Sequence, residues 1–514
     1  MGWIIFIVFV IGWGLGMYGM FKKAGVEPWK ALIPFYNTWI MVEKTGIKKM
    51  WFWLQFIPIA GQFITIWITI IFVMHFGRFS LVDHAATVFV PFVYFPYLGY
   101  SDKVKWGGPE MVKHYRKSWI REWVDAAVFA IVAATIIRTF VFEAYTIPTG
   151  SMEKTLLIND FLFVNKISYG PRIPQTPISF PFVHNTMPGS VTTPSYVKWI
   201  QLPYKRLPGS TEIKRNDVVV FNFPAGDTII NLPEYGSAVP YYDVLRSREY
   251  NGNREKLMND FPILVHPMDK TDNYIKRCVG MPGDVIELKR SVLFVNNQPG
   301  FIPPASQIYY KVETNGTPIT TDFMESELGY MFKPDDSNPN NVVEKNGSFA
   351  QVSNTLYIMN LTPADAEKVK KLANVKSVLP RVEEPNEPTT DVFPYDVTNF
   401  PWNRDNYGPM TIPAKGVTIT LTPQNIALYR RLITTYEHNT LVENGGQYTI
   451  NGKPATTYTF QYNYYWMMGD NRHNSQDSRY WGFVPETHVV GKASLIWFSW
   501  NNGPRWSRLF KSIK

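Results

Sequence analysis

Four long apolar stretches crowd into the first 142 residues, and no other feature limits the folding of this chain as strongly. Backbone N–H and C=O groups find no water in a bilayer core, so a helix of about 20 largely apolar residues is the form that crosses one. Residues 3–21 (WIIFIVFVIGWGLGMYGMF), 51–74, 79–99 and 123–142 fit that length. The second and third leave two readings, membrane spans or a pair of buried or re-entrant helices, and the third carries Asp83 and His84, which would have to face other helices if it spans. The first has no charged n-region and no small-residue cleavage site, so it reads as an anchor.

Basic residues orient these segments. Lys22, Lys23, Lys30, Lys44, Lys48 and Lys49 lie between the first and second; Lys103, Lys105, Lys113, Arg116, Lys117 and Arg121 lie between the third and fourth. The loop between the second and third holds only Arg78. The positive-inside rule puts both basic loops in the cytoplasm and everything after Phe142 outside it. The net charge of +9 therefore speaks for a lipid bilayer rather than for nucleic acid, because the basic residues border apolar segments and form no compact patch. A single Cys, Cys278, rules out an intramolecular disulfide and Zn–Cys clusters.

Beyond residue 145 the character changes. DVVVFNFP (217–224), DVIELKRSVLFVNN (284–297), YTINGKPA (448–455) and SLIWFSW (494–500) read as strands, and Asn451-Gly452 is a hairpin signal. Residues 305–440 differ: they hold Pro- and Asn-rich loops such as KPDDSNPNN, and two helix starts at Thr362-Pro363 and Thr422-Pro423, each a Thr cap with Pro in the first turn. The expected organisation is a membrane domain over 1–142, a β-rich domain over 143–304 and 441–514, and an inserted subdomain over 305–440.

The stretch IPTGSMEKTL (147–156) presents Ser151 on a bend set by Pro148 and Gly150. A plain turn leaving the membrane would look the same, so the hydroxyl matters only if something deprotonates it. There is no HExxH pair and the eight His are scattered, so a metal or cofactor is not expected; a Ser-His-Asp triad stays open, since its order varies between folds. DNYIKRCVGMPGDVIEL (272–288) offers an alternative, with Tyr274, Lys276 and Cys278 on one face of a strand. An exposed strand Lys is the ordinary reading. In a desolvated cleft, however, the amine would be neutral enough to take a proton from Ser151, at a cost of roughly 4 kcal/mol. The third dense stretch is MMGDNRHNSQDSRYWGFVP (467–485).

Taken in order, the last apolar segment through Lys166, NDVVVFNFP, YIKRCVGMPGD and MGDNRHNSQDSRYWGFVP resemble bacterial type I signal peptidases, membrane-anchored Ser-Lys endopeptidases. The resemblance implies N-terminal transmembrane helices followed by a mainly β extracytoplasmic catalytic domain of the signal peptidase type with an inserted α+β subdomain. By resemblance, Ser151 is the nucleophile and Lys276 its general base. Thr149 and the Ser151 backbone N–H form the oxyanion hole, and Ser475 orients the Lys. Gly469, Asp470, Asp477 and Arg479 are structural neighbours of the site. Tyr145, Ile147, Met152, Leu156, Tyr274 and Ile275 line the pockets for small side chains. Lys154 stands where the family commonly has Pro, and His473 where it has an acid. The implied substrates are signal-peptide-bearing precursors met at the cytoplasmic membrane, near the secretion translocon, with no cofactor. Two other classes remain: an inert membrane-anchored binding module of the same fold, and a self-cleaving Ser-Lys protease, which would want a soluble chain with a helix-turn-helix.

Overall fold

The computed structural model describes residues 2–113, 115, 119–190, 193–224, 228–232, 235, 239–334, 342–344 and 348–513. Arg116, Lys117 and residues 335–341 of the KPDDSNPNN loop lie outside the described residues. The chain forms two compact units, Met1–Thr139 with Ile173–Tyr204, and Phe140–Arg172 with Lys205–Lys514.

In the first unit the Gly2–Lys23 helix packs on the Pro91–Tyr100 helix. The approach is close because Gly16 and Gly19 face it: a Cβ on Gly16 would lie 2.4 Å from Phe95, and one on Gly19 2.9 Å from Gly99. Among the described residues, Glu122–Phe140 is long and apolar enough to cross a membrane. The segments 51–74 and 79–99, for which spans and buried or re-entrant helices are the two readings, are both broken. The first is Met50–Leu54 followed by Gly61–Met74, and the second is Leu81–Phe89 and Pro91–Tyr100, bent by 118°. Proline explains both breaks. Ile57 precedes Pro58 and Val90 precedes Pro91, and the residue before a proline is pushed out of the helical region; Val90 sits at φ −134, ψ 45.

The second unit is built on an eight-stranded antiparallel sheet. Its order is Phe142–Thr146, Asp160–Asn165, Val489–Ser499, Val218–Asn222, Asn273–Gly280, Tyr464–Met468 and Val484–Pro485, with Lys511–Ser512 paired to Val489–Ser499. Alternation along Val218–Asn222 sends Val218 and Val220 to one apolar cluster and Val219 and Phe221 to the opposite one. The register sets Val219 opposite Lys276 and Val220 opposite Ile275. Each strand-rich stretch of the sequence forms strands, and Asn451 and Gly452 take the positive φ values of a tight hairpin.

Residues 305–440 contribute in two ways. Ile308–Thr314, Phe349–Gln351, Leu356–Leu361 and Val375–Pro380 form a four-stranded sheet that encloses its own core around Val312, Met359 and Val369. Tyr407–Thr411 instead pairs with Val285–Lys289, and Val392, Trp402 and Ile433 join the core of Ile286, Trp466 and Phe483. Thr362 caps the Pro363–Lys370 helix as its sequence suggests. The second helix starts later than expected, at Ile426. Thr422 and Asn425 bond each other reciprocally ahead of it, at 2.9 and 3.2 Å, in the pattern of a capping box, and Ile426 N–H bonds the Thr422 carbonyl at 3.0 Å.

Candidate active site

Ser151 lies on a short 3₁₀ turn, Gly150–Met152, entered from extended backbone at Thr149. Lys276 sits in the Asn273–Gly280 strand, and its Nζ is 2.6 Å from Ser151 Oγ. Ser151 is 9% exposed and Lys276 3%, so the pair is largely removed from water. Burial pulls the Lys276 ammonium from 10.5 down to about 8; Asp477 and Asp470 favour the charged form, and Arg479 opposes it. Tyr274 adds its ring, with the centroid 5.6 Å from Nζ.

The 467–485 stretch wraps this pair. Asn471 N–H donates to the Ser151 carbonyl at 3.1 Å, and Asn471 Nδ2 donates to the Gly150 carbonyl at 3.0 Å, so one residue holds the bend from two sides. Gly469 passes so close that a Cβ there would lie 2.5 Å from the Ser151 carbonyl and 2.2 Å from Ser475 Oγ. Its N–H donates to Asp477. Asp477 accepts Arg479 Nε and Nη2, both at 2.9 Å, in a fully buried fork. Burial alone would raise the Asp477 carboxyl, but Arg479 and these hydrogen bonds hold it below its usual value. Asp470 makes a matching fork with Arg277 at 2.8 and 2.6 Å and also accepts the Thr155 hydroxyl.

The remaining expected site residues divide. Tyr145, Ile147, Met152, Leu156 and Ile275 share one apolar cluster. Tyr274 packs on the opposite face with Phe223 and Trp481, because neighbouring residues of a strand point to opposite sides. Thr149 is exposed and its hydroxyl makes no capping hydrogen bond. Ser475 is buried, and its Oγ reaches the Gln476 carbonyl at 3.4 Å rather than Lys276. It also lines a cavity of about 630 Å³ together with Phe223, Tyr395, Asn474 and Trp481. Among the described residues no group of three His, Cys, Asp or Glu side chains could hold a metal ion.

Sequence reasoning missed the shell that holds these loops. Tyr309 N–H donates to His473 Nδ1 at 3.0 Å, so Nε2 carries the imidazole proton and donates to Asp405 at 2.8 Å. Burial lowers the His473 pKa, against the opposing pull of Asp405. Asp405 also accepts the Ser291 hydroxyl and Glu383 N–H. Lys154 reaches the Leu328 carbonyl and pairs with Asp365 at 3.5 Å. The two departures noted in the sequence, Lys154 and His473, are therefore both bound by residues from 305–440. Asn360 completes the shell by donating to Asn471. A charged Arg277 in an apolar strand was a readable signal; Asp405 had none.

Residues 29–109 match a family of unknown function (DUF5684). A protein of Buchnera aphidicola from Schizaphis graminum named signal peptidase I is 25% identical over 387 residues, 73% of this chain and 76% of its own length. Proteins of the same name from Haemophilus influenzae and Pseudomonas aeruginosa are 23% and 22% identical, over 76% and 84% of this chain and 75% and 93% of their own. The family described as signal peptidase, peptidase S26 matches residues 120–349 and 412–500, well over half of the chain, and the chain belongs to it.

Proposed function

We propose that this protein is a serine endopeptidase that removes N-terminal signal peptides from secreted precursors through a Ser151–Lys276 dyad. The observation that carries the reading is the 2.6 Å contact between Lys276 Nζ and Ser151 Oγ in a buried setting that drops the amine to about 8. A neutral amine at that distance takes the hydroxyl proton as Oγ attacks the scissile carbonyl. The Ser151 N–H and the Thr149 hydroxyl stabilise the oxyanion. The protonated Lys276 then hands its proton to the leaving amine, and water, deprotonated by the same Lys, releases the acyl-enzyme. Asp477–Arg479 and Asp470–Arg277 hold the loops that carry this geometry. Ile147, Met152 and Leu156 share an apolar face with Tyr145 and Ile275, and on this reading that face takes Ala, Gly or Ser beside the scissile bond and excludes Phe.

The reading includes the membrane. Residues 1–142 anchor the chain in the cytoplasmic membrane, and the catalytic domain of 143–304 and 441–514, with its 305–440 insert, stands on the outer side where translocated precursors emerge from the translocon. The test is cleavage of a purified precursor. Cutting after a small-x-small site is expected, with none after Phe at the last signal position. Ser151→Ala and Lys276→Arg should each abolish it, since a guanidinium stays charged at any working pH. Near-normal turnover by Lys276→Arg would sink the dyad. A wild-type protein that cuts no precursor leaves the inert binding module, and one that cuts only itself leaves the self-cleaving protease.

A further inference from the structure

The excursion Ile173–Tyr204 packs with residues 1–139 as part of the first unit. Its composition is unlike that of the rest of the chain. It holds no Asp or Glu and one Lys, Lys198, whereas the whole sequence is 18% charged. Backbone bonds fold it into an irregular ribbon. Phe180 N–H donates to the Ser195 carbonyl at 2.6 Å, Val197 N–H to the Ile178 carbonyl at 3.0 Å and Met187 N–H to the Thr193 carbonyl at 2.9 Å.

This ribbon is inside out. Thr176, Ser179 and Ser195 are buried, and the Ser179 hydroxyl donates to the Thr176 carbonyl at 2.8 Å. Ile178, Phe180 and Phe182 are exposed, and Trp199 is 77% exposed. A single exposed apolar side chain needs no explanation, but a group of them on a ribbon without acids points to surroundings that are themselves apolar.

Contacts to two helices fix its depth. At the start of the Gly61–Met74 helix, Ile59 N–H donates to the Pro177 carbonyl at 2.7 Å and Gln62 Nε2 to the Ser179 carbonyl at 2.8 Å. Arg138, in the last turn of the Trp119–Phe140 helix, lies 6.0 Å from the centroid of the Phe182 ring. Just past the other end of Gly61–Met74, the His75 carbonyl accepts Gly107 and Gly108 N–H, which belong to the basic loop assigned to the cytoplasm. A helix of 14 residues rises about 21 Å, against about 30 Å for the hydrocarbon core. Measured from the cytoplasmic surface, the ribbon's point of attachment therefore stops short of the outer surface, among the upper parts of the acyl chains.

We propose that Ile173–Tyr204 is a lipid-binding element lying in the outer leaflet, with Ile178, Phe180, Phe182 and Trp199 at the boundary between headgroups and acyl chains. It rests on the membrane placement of residues 1–142 and extends it to a segment that follows the last spanning helix and contains no stretch apolar and long enough to cross. Aromatic rings suit that boundary, and the exposed Lys198 beside Trp199 carries the sign of charge that lipid phosphates attract.

The test is spin-label accessibility in the full chain, carried in nanodiscs of phosphatidylethanolamine and phosphatidylglycerol. On a Cys278→Ala background, single nitroxides are attached through Phe182→Cys and Trp199→Cys. Ile131→Cys on the spanning helix and Val352→Cys in the insert give the references for lipid and water. Power saturation reads collision with oxygen, which gathers in lipid, and with a neutral nickel chelate, which stays in water. Both ribbon labels should collide mainly with oxygen, at a depth of about 5–10 Å, with Ile131 deeper and Val352 open to nickel. Phe180→Cys takes the place of either ribbon variant that fails to fold. Nickel dominating at a ribbon label while Ile131 stays in lipid would put the ribbon in water and overturn the proposal with the membrane anchor intact. Little collision with either reagent at a ribbon label would show that protein covers it, a second copy or another partner, and would overturn the proposal equally. Nickel dominating at Ile131 would instead refute the membrane placement of residues 1–142, and the proposal with it.

Discussion

Lys276→Met should make this protein more stable at neutral pH while destroying its activity. Lys276 is buried, with its pKa lowered from 10.5 to about 8. At about 1.4 kcal/mol per unit, that drop corresponds to about 3 kcal/mol of folding stability. The sign follows from proton binding. Below pH 8 the amine is charged both in the folded and in the unfolded chain, and the folded state bears the full penalty of burying it. Between pH 8 and 10.5 the folded amine is neutral while the unfolded one still holds its proton, so stability rises with pH; above 10.5 the penalty is gone. Methionine fills similar space without a charge and carries no such dependence. Unfolding free energies of the two proteins from urea titrations, followed by the fluorescence of buried Trp466 and Trp481, should therefore differ most at pH 6–7 and converge by about 3 kcal/mol towards pH 10.5. Titrations common to both proteins cancel in the comparison. The same ionisation should govern wild-type kcat/KM, which should climb about tenfold per pH unit to a midpoint near 8. A stability difference that stays constant from pH 6 to 10.5, or a rate that is flat through pH 8, would refute the claim that Lys276 works as a desolvated amine.

Thr149→Val keeps the shape of the side chain and removes its donor, so turnover should fall about 10²–10³-fold in the precursor assay, while Thr149→Ser stays active. Asp405→Ala strands the His473 N–H, the Ser291 hydroxyl and the Glu383 N–H in a buried site. It should lower the unfolding free energy by about 1–3 kcal/mol per stranded group and reduce kcat with KM little changed, with Asp405→Asn restoring much of both. In a Cys278→Ala background, cysteines at Gly2 and Gln476 should react with a membrane-impermeant thiol reagent on intact cells and one at Lys105 should not. The reverse pattern would put the dyad on the wrong side of the membrane.

Much of this site was readable because its parts follow local rules. Strand alternation identified the face of Lys276, the Pro148–Gly150 bend marked Ser151, and the dense polar stretch from 467 pointed to the loop that holds them. The same alternation puts Tyr274 and Ile275 on opposite faces of their strand. The breaks at Ile57-Pro58 and Val90-Pro91 were equally local, and apolarity counted by length alone passes over them. The His473–Asp405 bond joins residues 68 apart in the chain, and nothing near either residue announces the other.

By itself, then, the sequence determined which segments are apolar, which alternate as strands, where turns fall, and which few side chains could carry acyl-transfer chemistry. Those properties depend on neighbours within a few residues, through backbone sterics, caps and periodicity. Tertiary structure alone decided that Lys276, 125 residues beyond Ser151, would stop 2.6 Å from its hydroxyl, and that Ser475 would face the Gln476 carbonyl. It alone decided that 392–436 would join the core of the catalytic sheet while 308–380 built a core of its own. Such outcomes rest on the order of strands in the sheet and on the burial that each order permits. The lowered pKa of the lysine arises from that burial, a property of the packed surroundings that no stretch of chain possesses before it folds.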